Sequence, residues 1–308
     1  MRRIVIGVAL FASLLVPPAA HSAEVNPATG PAILIEDVGR FYRIYDAAAG
    51  HPDAEQLQRG YIDAGSDGLH QFAQVRDITG TSIARTLTRR PEVYANARRC
   101  MAVLPRARER LAASLRTLVR LYPAARLPPV TIAVGRGKPV GVGSPATGIQ
   151  IGLEALCATD YLNPDVEERL VHVVAHEYAH VQQSAALTED EHPTVLEASL
   201  LEGTGELIAE LISGDVSYSN LKSSTKGHER EIELAFVADE EKTDLSAWLY
   251  NSTSENPGDL GYWVGYRIVK TYYQQASDKK KALREILEMT DPRSFLAESG
   301  WHPGIALE

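Results

Sequence analysis

The chain has 308 residues, with 31 Lys and Arg against 40 Asp and Glu, which gives a formal net charge of -9. This acidic balance argues against a general nucleic-acid-binding protein, so no nucleic acid is expected as a partner. The apolar fraction of 44% is ordinary for a globular protein, and the length suits one large domain or a domain with a helical extension.

The first 22 residues have the pattern of an export signal. Arg2 and Arg3 precede an apolar run from Ile4 to Val16, and a small-residue segment leads to a cleavage site after Ser22. The apolar run is too short to span a bilayer comfortably, and no other stretch is long and apolar enough. We therefore predict a periplasmic or secreted protein without stable membrane insertion after signal removal.

Residues 23–127 are predicted to form a helical N-terminal region. The apolar spacing within residues 31–49 suits an amphipathic helix, and residues 90–121 suggest two long helices broken near Pro105. Ten arginines lie in the second segment and just before it. We interpret them as a solvated helical face, with an anionic partner such as a lipid surface as the alternative.

The chain has two cysteines, Cys100 and Cys157. In an oxidising compartment they can pair, but the sequence does not place them next to each other, so the pairing stays open. Neither cysteine has the spacing of a metal site, and zinc ligation by cysteine is therefore not expected.

Two short strands are predicted after the helical region, at residues 130–134 and 148–153. The intervening loop 135–139 resembles a phosphate-binding loop, but it lacks the upstream glycine and has Pro139 where Ser or Thr is required. Nucleotide binding is therefore not expected. A strand edge in this region has another use, because it can pair with an extended peptide.

His176, Glu177 and His180 form the pattern H-E-x-x-H. On a helix, two histidines four residues apart lie on one face, so both imidazoles can bind the same cation. The glutamate between them can act as a general base on water without ligating the metal. The alternative is an amphipathic helix with incidental histidines, but a carboxylate on the apolar face then lacks a compensating group.

This helix is predicted to begin with Asn163 as the N-cap and Pro164 in the first turn. His172 extends the row of histidines by one turn. The row from residue 172 to residue 180 spans about 12 Å of helix axis, which is too far for three side chains to share one metal. We therefore expect His172 to flank the site rather than to be a ligand.

Catalytic zinc usually has three protein ligands. A third histidine at a short distance is not available, because Gln183 and Ala186 occupy the positions that one clan fills with glycine and histidine. His192 is a possible substitute, in a loop. The better candidate is Glu202, on a second helix predicted over about residues 194–213, where the intervening chain is long enough to turn back beside the first helix.

Glu206 follows Glu202 by one helical turn and can accept a hydrogen bond from the free ring nitrogen of a zinc-bound histidine. Gly203 and Gly205 are unfavourable within a helix, so we expect another element to approach closely there. The alternative is a solvent-facing acidic stripe made of Glu202, Glu206 and Glu210.

These motifs resemble known proteins. H-E-x-x-H together with E-G-x-x-E at residues 202–206 is similar to the glutamate-ligated zincin (gluzincin) clan of metallopeptidases. With residues 259–267 added, the chain resembles more closely a bacterial family of predicted zinc-dependent proteases of unknown substrate, over roughly residues 125–275. The resemblance implies an α+β, mostly helical, zincin-like fold with a small sheet, an active-site helix and a ligand helix. Residues 128–308 would be the catalytic region, packed with the helical region in one compact unit.

The expected function is an exported zinc-dependent metallopeptidase that hydrolyses a peptide or protein substrate. Its cofactor would be Zn2+, held by His176, His180 and Glu202, with Glu177 as the general base. One alternative is an inactive, metal-stabilised binding or chaperone-like protein. Another is a zinc hydrolase of a non-protein amide such as a cell-wall crosslink, which no sequence feature separates from a peptidase.

The oxyanion that develops during hydrolysis needs a hydrogen-bond donor besides the metal. Tyr262 and Tyr266 lie one turn apart on a predicted helix and are the candidates, with Tyr266 slightly preferred and His228 behind them. The alternative is that both tyrosines are packed aromatic residues with satisfied hydroxyl groups.

Overall fold

The computed structural model describes residues 32–307, and the predicted signal lies outside this range. The described chain is mostly helical with one small sheet, an α+β fold as predicted. The strands are β1 (Ile33–Leu34), β2 (Val130–Ala133), β3 (Gly141–Ser144) and β4 (Gly148–Gly152). The helices are α1 (Glu36–Ala47), α2 (Ala54–Leu57), α3 (Asp67–Arg76), α4 (Gly80–Arg89), α5 (Pro91–Ala97), α6 (Leu104–Leu121), α7 (Leu153–Ala158), α8 (Val166–Gln182), α9 (Ala185–Thr188), α10 (Val195–Ser213), α11 (Asn220–Ser224), α12 (Glu229–Asp239), α13 (Leu260–Gln275), α14 (Lys279–Leu287) and α15 (Pro292–Glu298).

The sheet has the order β1-β2-β4-β3. Strands β1, β2 and β4 are parallel, whereas β3 runs antiparallel to β4 and forms an edge. The two predicted strands are confirmed as β2 and β4, which are almost entirely buried. Strands β1 and β3 were not predicted, because β1 has two residues and β3 has the sequence Gly-Val-Gly-Ser, which lacks an apolar alternation.

The prediction of two long helices over residues 90–121 is wrong for the first of them. Helix α5 ends at Ala97, a 3-10 helix spans Arg98–Val103, and Pro105 lies in the first turn of α6, where its missing N–H is tolerated. The 3-10 segment carries Cys100, which forms a disulfide with Cys157 on α7. The disulfide therefore joins the N-terminal helices to the segment that follows the sheet.

Helix α8 begins two residues later than predicted. Asp165, not Asn163, is the N-cap, because its carboxylate accepts the backbone N–H groups of Glu167 and Glu168. The helix is buried on all sides from Arg169 to Gln182, not on one apolar face only. Its surroundings are β3, β4 and the helices α6 and α10.

The start of α8 is also held by arginines of α6. Arg106 contacts Glu167, and Arg110 contacts both Glu167 and Glu168. Some arginines of this segment therefore pair with acidic residues of another helix. Others, such as Arg116 and Arg120, lie at exposed positions, as expected for a solvated helical face.

Helix α10 begins and ends where the sequence predicted. Thr194 forms a capping box with Glu197, and Gly214 closes the C-terminus with a φ of 101°. The predicted close approach at Gly203 is confirmed, since a Cβ built there would lie 2.1 Å from the backbone carbon of Gly265 on α13. Helices α10 and α13 therefore pack almost backbone to backbone.

The buried apolar side chains form two clusters that meet at α10. One cluster joins the N-terminal helices, the sheet and α8, and it includes Ile208 and Ile212 of α10. The other joins α10 to α13 and the C-terminal helices, and it includes Leu200 and Leu207. Within the described residues, no helix combines the length and the apolar character needed to cross a membrane.

Candidate metal centre

Helices α8 and α10 bring His176, His180 and Glu202 together in the interior. Their ligand atoms all lie within 4.8 Å of one another. The two Nε2 atoms are 3.0 Å apart, and Oε2 of Glu202 lies 3.1 Å from Nε2 of His176 and 3.4 Å from Nε2 of His180. The residues predicted as ligands thus converge on one point between the two helices.

Hydrogen bonds at the outer ring nitrogens orient both imidazoles. Nδ1 of His176 lies 2.8 Å from Oε1 of Glu206, and Nδ1 of His180 lies 2.7 Å from Oε1 of Gln183. A carboxylate or amide oxygen only accepts, so each Nδ1–H donates and each Nε2 directs a lone pair at the centre. Gln183, whose own amide donates to the backbone of Leu201, was missed because its sequence position signals no such role.

The packing of the glycines leaves room for this arrangement. A Cβ added at Gly205 would lie 2.4 Å from the ring of His176, so only a residue without a side chain allows the ring to lie against α10. The predicted close approach at this glycine is therefore confirmed. Glu202 and Glu206 are only 6% and 2% exposed, which excludes the alternative of a solvent-facing acidic stripe.

The electrostatics of the cluster favour positive charge at its centre. Burial disfavours a charged imidazolium, but the carboxylates of Glu202 and Glu206 outweigh it and raise the pKa of His176. The pKa of His180 is raised against burial in the same way, mainly by Glu202. Conversely, burial would raise the pKa of Glu202, but the two histidines lower it well below its usual value. A metal ion or a proton on an imidazole supplies this positive charge.

Glu177 is buried beside the two histidines on α8, where it packs against the edge strand β3. A Cβ at Gly141 would lie 2.3 Å from Oε1 of Glu177, and one at Gly143 would lie 2.3 Å from its backbone oxygen. Among the described residues, Oε2 of Glu177 has no hydrogen-bond partner. Burial raises the pKa of this carboxyl group, so its affinity for a proton is greater than that of an exposed glutamate.

The two tyrosines predicted as oxyanion donors lie in different surroundings. The ring of Tyr262 stacks on His176, with ring centroids 6.0 Å apart. The hydroxyl of Tyr266 donates to Glu210 over 2.9 Å and accepts from Lys270 over 2.9 Å, so it is engaged away from the three clustered residues.

A third tyrosine, not predicted from the sequence, reaches the cluster from the loop before α13. The hydroxyl of Tyr250 donates to Oε1 of Glu202 over 2.8 Å. Removal of this hydroxyl from water and the charge of Glu202 raise the pKa of Tyr250, so it keeps its proton at neutral pH. No motif or periodicity marks Tyr250, because its position depends on how the loop folds back over α10.

The remaining histidines considered from the sequence lie outside the cluster. His172 is buried and contacts Glu168 and Ser213, in agreement with the expectation that it flanks the site. His192 is an exposed residue of the α9–α10 loop, and His228 is exposed at the start of α12.

Comparison with known families agrees with the chemistry of this cluster. Residues 155–291 match the family model described as "Predicted Zn-dependent protease (DUF2268)". The match includes α8, α10 and α13 but begins after the sheet, so it starts later and ends later than the expected resemblance over residues 125–275. Comparisons with curated proteins and with solved structures gave no match. The match supports the name of a zinc-dependent protease family for this region.

Proposed function

We propose that this protein is an exported zinc-dependent metallopeptidase of zincin-like architecture. His176, His180 and Glu202 would hold the metal, and Glu177 would be the general base. The observation that carries the proposal is the convergence of two imidazole lone pairs and one carboxylate oxygen at separations of 3.0–3.4 Å. Such an arrangement is unfavourable inside a protein unless a cation compensates it.

The donor set fits zinc in both chemistry and size. Two histidines and one glutamate are a known ligand combination for catalytic zinc, which keeps a fourth position open. Bonds of about 2.0–2.1 Å in a tetrahedron place neighbouring ligand atoms about 3.3–3.4 Å apart, close to the observed separations. Glu206 and Gln183 support the two histidines from behind, as outer partners of metal ligands commonly do.

Zinc, when bound, would supply Lewis acidity and lower the pKa of water. The protein's own contribution to the reaction is the base. Glu177 accepts a proton from water as the water oxygen attacks the peptide carbonyl carbon, and it returns the proton to the nitrogen as the C–N bond breaks. Its raised pKa suits this role, and so does its Oε2, to which no group of the described chain donates a hydrogen bond, because a base without such donors retains its proton affinity.

The edge strand β3 supports a peptide as the substrate. Within residues 32–307 it pairs only with β4, so its other side offers backbone groups to which an extended peptide can add as a further strand. Gly141 and Gly143 bring this strand directly against Glu177. A peptide bound along β3 would therefore pass close to the proposed base.

Export is supported by two independent features. The first 22 residues have the pattern of a signal peptide. The disulfide between Cys100 and Cys157 is the kind of bond that persists in an oxidising compartment. We therefore place the mature protein in the periplasm or outside the cell.

The test compares the wild type with Glu177→Gln, using metal analysis and a mixed peptide library read by mass spectrometry. We expect about one zinc per chain in both proteins and a rate of cleavage lower by about 10²–10⁴-fold in the variant, the usual contribution of a general base. Zinc in both proteins with equal inactivity would instead favour a metal-stabilised binding protein. Cleavage of cell-wall amides but no peptides would favour the non-protein hydrolase.

A further inference from the structure

The loop that carries Tyr250 is built to hold this tyrosine over the ligand cluster. The residue is 61% exposed, yet its hydroxyl reaches inward to Oε1 of Glu202 over 2.8 Å. Oε1 is the outer oxygen of this carboxylate, since Oε2 faces the imidazoles. The hydroxyl therefore lies beside the cluster, at the end of an exposed ring that a bound substrate can contact.

The backbone of this loop adopts an unusual conformation at both of its ends. Tyr250 has a φ of 60° and Asp259 a φ of 45°. Both lie in the left-handed region, which is unfavourable for residues other than glycine. Gly258 also has a positive φ, 48°. Such residues persist only where the surrounding structure holds them, and they concentrate at functional sites.

A reciprocal clasp between Asn251 and Asp259 holds the two ends of the loop together. The N–H of Asn251 donates to Oδ1 of Asp259 over 2.8 Å, and the N–H of Asp259 donates to Oδ1 of Asn251 over 2.6 Å. Ser252 adds a hydroxyl donor to the other oxygen of Asp259, and Nδ2 of Asn251 donates to the backbone of Ser246. Asp259 is only 2% exposed, so the clasp is a fixed internal feature.

The clasp also changes the interpretation of the sequence Asn251-Ser252-Thr253, which matches a glycosylation acceptor. Both polar atoms of the Asn251 side chain are engaged in hydrogen bonds. This asparagine is thus part of the loop's internal structure.

We propose that Tyr250 is the hydroxyl donor to the oxyanion formed during hydrolysis, and that Asn251 and Asp259 are positioning residues for it. The assignment rests on the proposed function. As the water oxygen bonds to the carbonyl carbon, the π electrons of the carbonyl move to its oxygen. The hydroxyl of Tyr250 would turn from Oε1 of Glu202 to this oxygen and would keep its own proton. The loop backbone and its clasp fix the position of the ring before the reaction, so that only the hydroxyl has to reorient.

The competing role is purely supportive: the hydroxyl orients Glu202 as a ligand and does nothing else. The two roles predict different losses. Removal of a group that only orients a ligand weakens zinc binding, typically by about 10–100-fold. Removal of an oxyanion donor leaves zinc binding unchanged and weakens the binding of a tetrahedral anion and the rate of turnover.

The experiment uses the zinc-loaded protein, with methylphosphonate as a probe that imitates the tetrahedral oxyanion. In Tyr250→Phe we expect zinc affinity within about twofold of the wild type, methylphosphonate affinity about tenfold lower, and a rate of peptide cleavage lower by about 10²–10³-fold. Tyr272→Phe is the matched control, because the hydroxyl of this half-buried tyrosine also donates to a glutamate, Glu285, over 2.7 Å. It should match the wild type in all three measurements.

The positioning role of the clasp is tested with Asp259→Ala and Asp259→Asn. The alanine variant should bind methylphosphonate about as weakly as Tyr250→Phe, whereas asparagine, which keeps one acceptor for the N–H of Asn251, should recover part of the affinity. Thermal unfolding shows whether an Asp259 variant is folded. If it is not, the result for Tyr250→Phe, which changes only one exposed ring, tests the proposal by itself.

Two results would overturn the assignment: an unchanged methylphosphonate affinity in Tyr250→Phe, or a loss of affinity that disappears once the site is saturated with zinc. Failure of the proposed function is distinguishable from both. If the wild type cleaves no peptide but Tyr250→Phe still loses methylphosphonate affinity, the peptidase function fails while the donor assignment stands for another carbonyl hydrolysis.

Discussion

The two sides of the candidate site differ in whether the polar atoms of their side chains are held by hydrogen bonds. On one side, the ligand wall consists of the facing side chains of α8 and α10, namely His176, His180, Glu202 and Glu206, and hydrogen bonds hold the outer ring nitrogens of both histidines. On the other, the glycine wall consists of β3 with Gly141 and Gly143, and in the part of the chain that the structure describes Oε2 of Glu177 has no hydrogen-bond partner. Polar contacts fix one side, and close backbone packing shapes the other.

The difference corresponds to what each side would do. A metal ligand has to present one lone pair in a fixed direction, which hydrogen bonds to its other atoms achieve. A general base has to accept a proton, and each N–H or O–H donated to its carboxylate would lower its pKa. The glycine wall encloses Glu177 but has no side-chain donors that would lower the pKa of its carboxyl group. Burial therefore raises this pKa.

The glycine wall is the place where the largest effects are expected. In Gly143→Ala the new Cβ would meet the backbone oxygen of Glu177 at 2.3 Å, and backbone cannot rotate away. We expect a loss of roughly 1–3 kcal/mol in the free energy of unfolding. In Gly141→Ala the new Cβ would meet Oε1 of Glu177, and the side chain can turn aside. We expect this variant to fold but to lose peptidase activity on the order of 10²-fold, since the base is displaced.

Chemical denaturation and turnover measured on the same samples separate the two variants. Gly39→Ala on α1 is the control, because its Cβ has ordinary contact at 3.6 Å from Arg43. It should be neutral or stabilise the protein by roughly 0.5–1 kcal/mol. Full activity in Gly141→Ala would contradict the assignment of Glu177 as a base held against β3.

Substitutions in the ligand wall should instead change the affinity for zinc. Glu206 accepts from Nδ1 of His176 over 2.8 Å and from the backbone N–H of Tyr218 over 3.1 Å. In Glu206→Gln the amide group cannot accept at both places, so we expect zinc to bind about 10–100-fold more weakly in competition with a chelator. Glu210→Gln, one turn further along α10, should leave zinc affinity unchanged. Equal effects at both positions would mean that charge alone, and not the contact with His176, governs metal binding.

The smallest effect is expected far from both walls, at the N-terminus of α8. Asp165→Ala removes the N-cap and should lower the free energy of unfolding by about 1 kcal/mol at pH 7. Backbone N–H donors lower the pKa of Asp165 in the folded protein. Its stabilisation is therefore fully present above the unfolded pKa of about 3.9 and is lost as the pH falls through the lower folded value. Denaturation curves of wild type and variant should converge at low pH, whereas the control Glu109→Ala should differ little from wild type throughout. A difference that persists at low pH would contradict the capping role.

The candidate ligands could be predicted from the sequence because their geometry is local. Residues four apart on a helix share a face in any helical context, so His176 and His180 need no tertiary information. Glu202 required only a second helix of sufficient length, whose boundaries Thr194 and Gly214 signal with capping residues. The strands β2 and β4 were found for the same reason, from short apolar runs.

The rest depends on contacts between distant segments. The pairing of Cys100 with Cys157, the position of β3 against Glu177 and the contact of Tyr250 with Glu202 join residues that no local pattern relates. The sequence by itself determined which side chains can bind a cation, because helix periodicity places them. Only the tertiary structure decided what surrounds them, because hydrogen-bond donors and backbone walls arrive from elements whose approach is set by packing of the whole core.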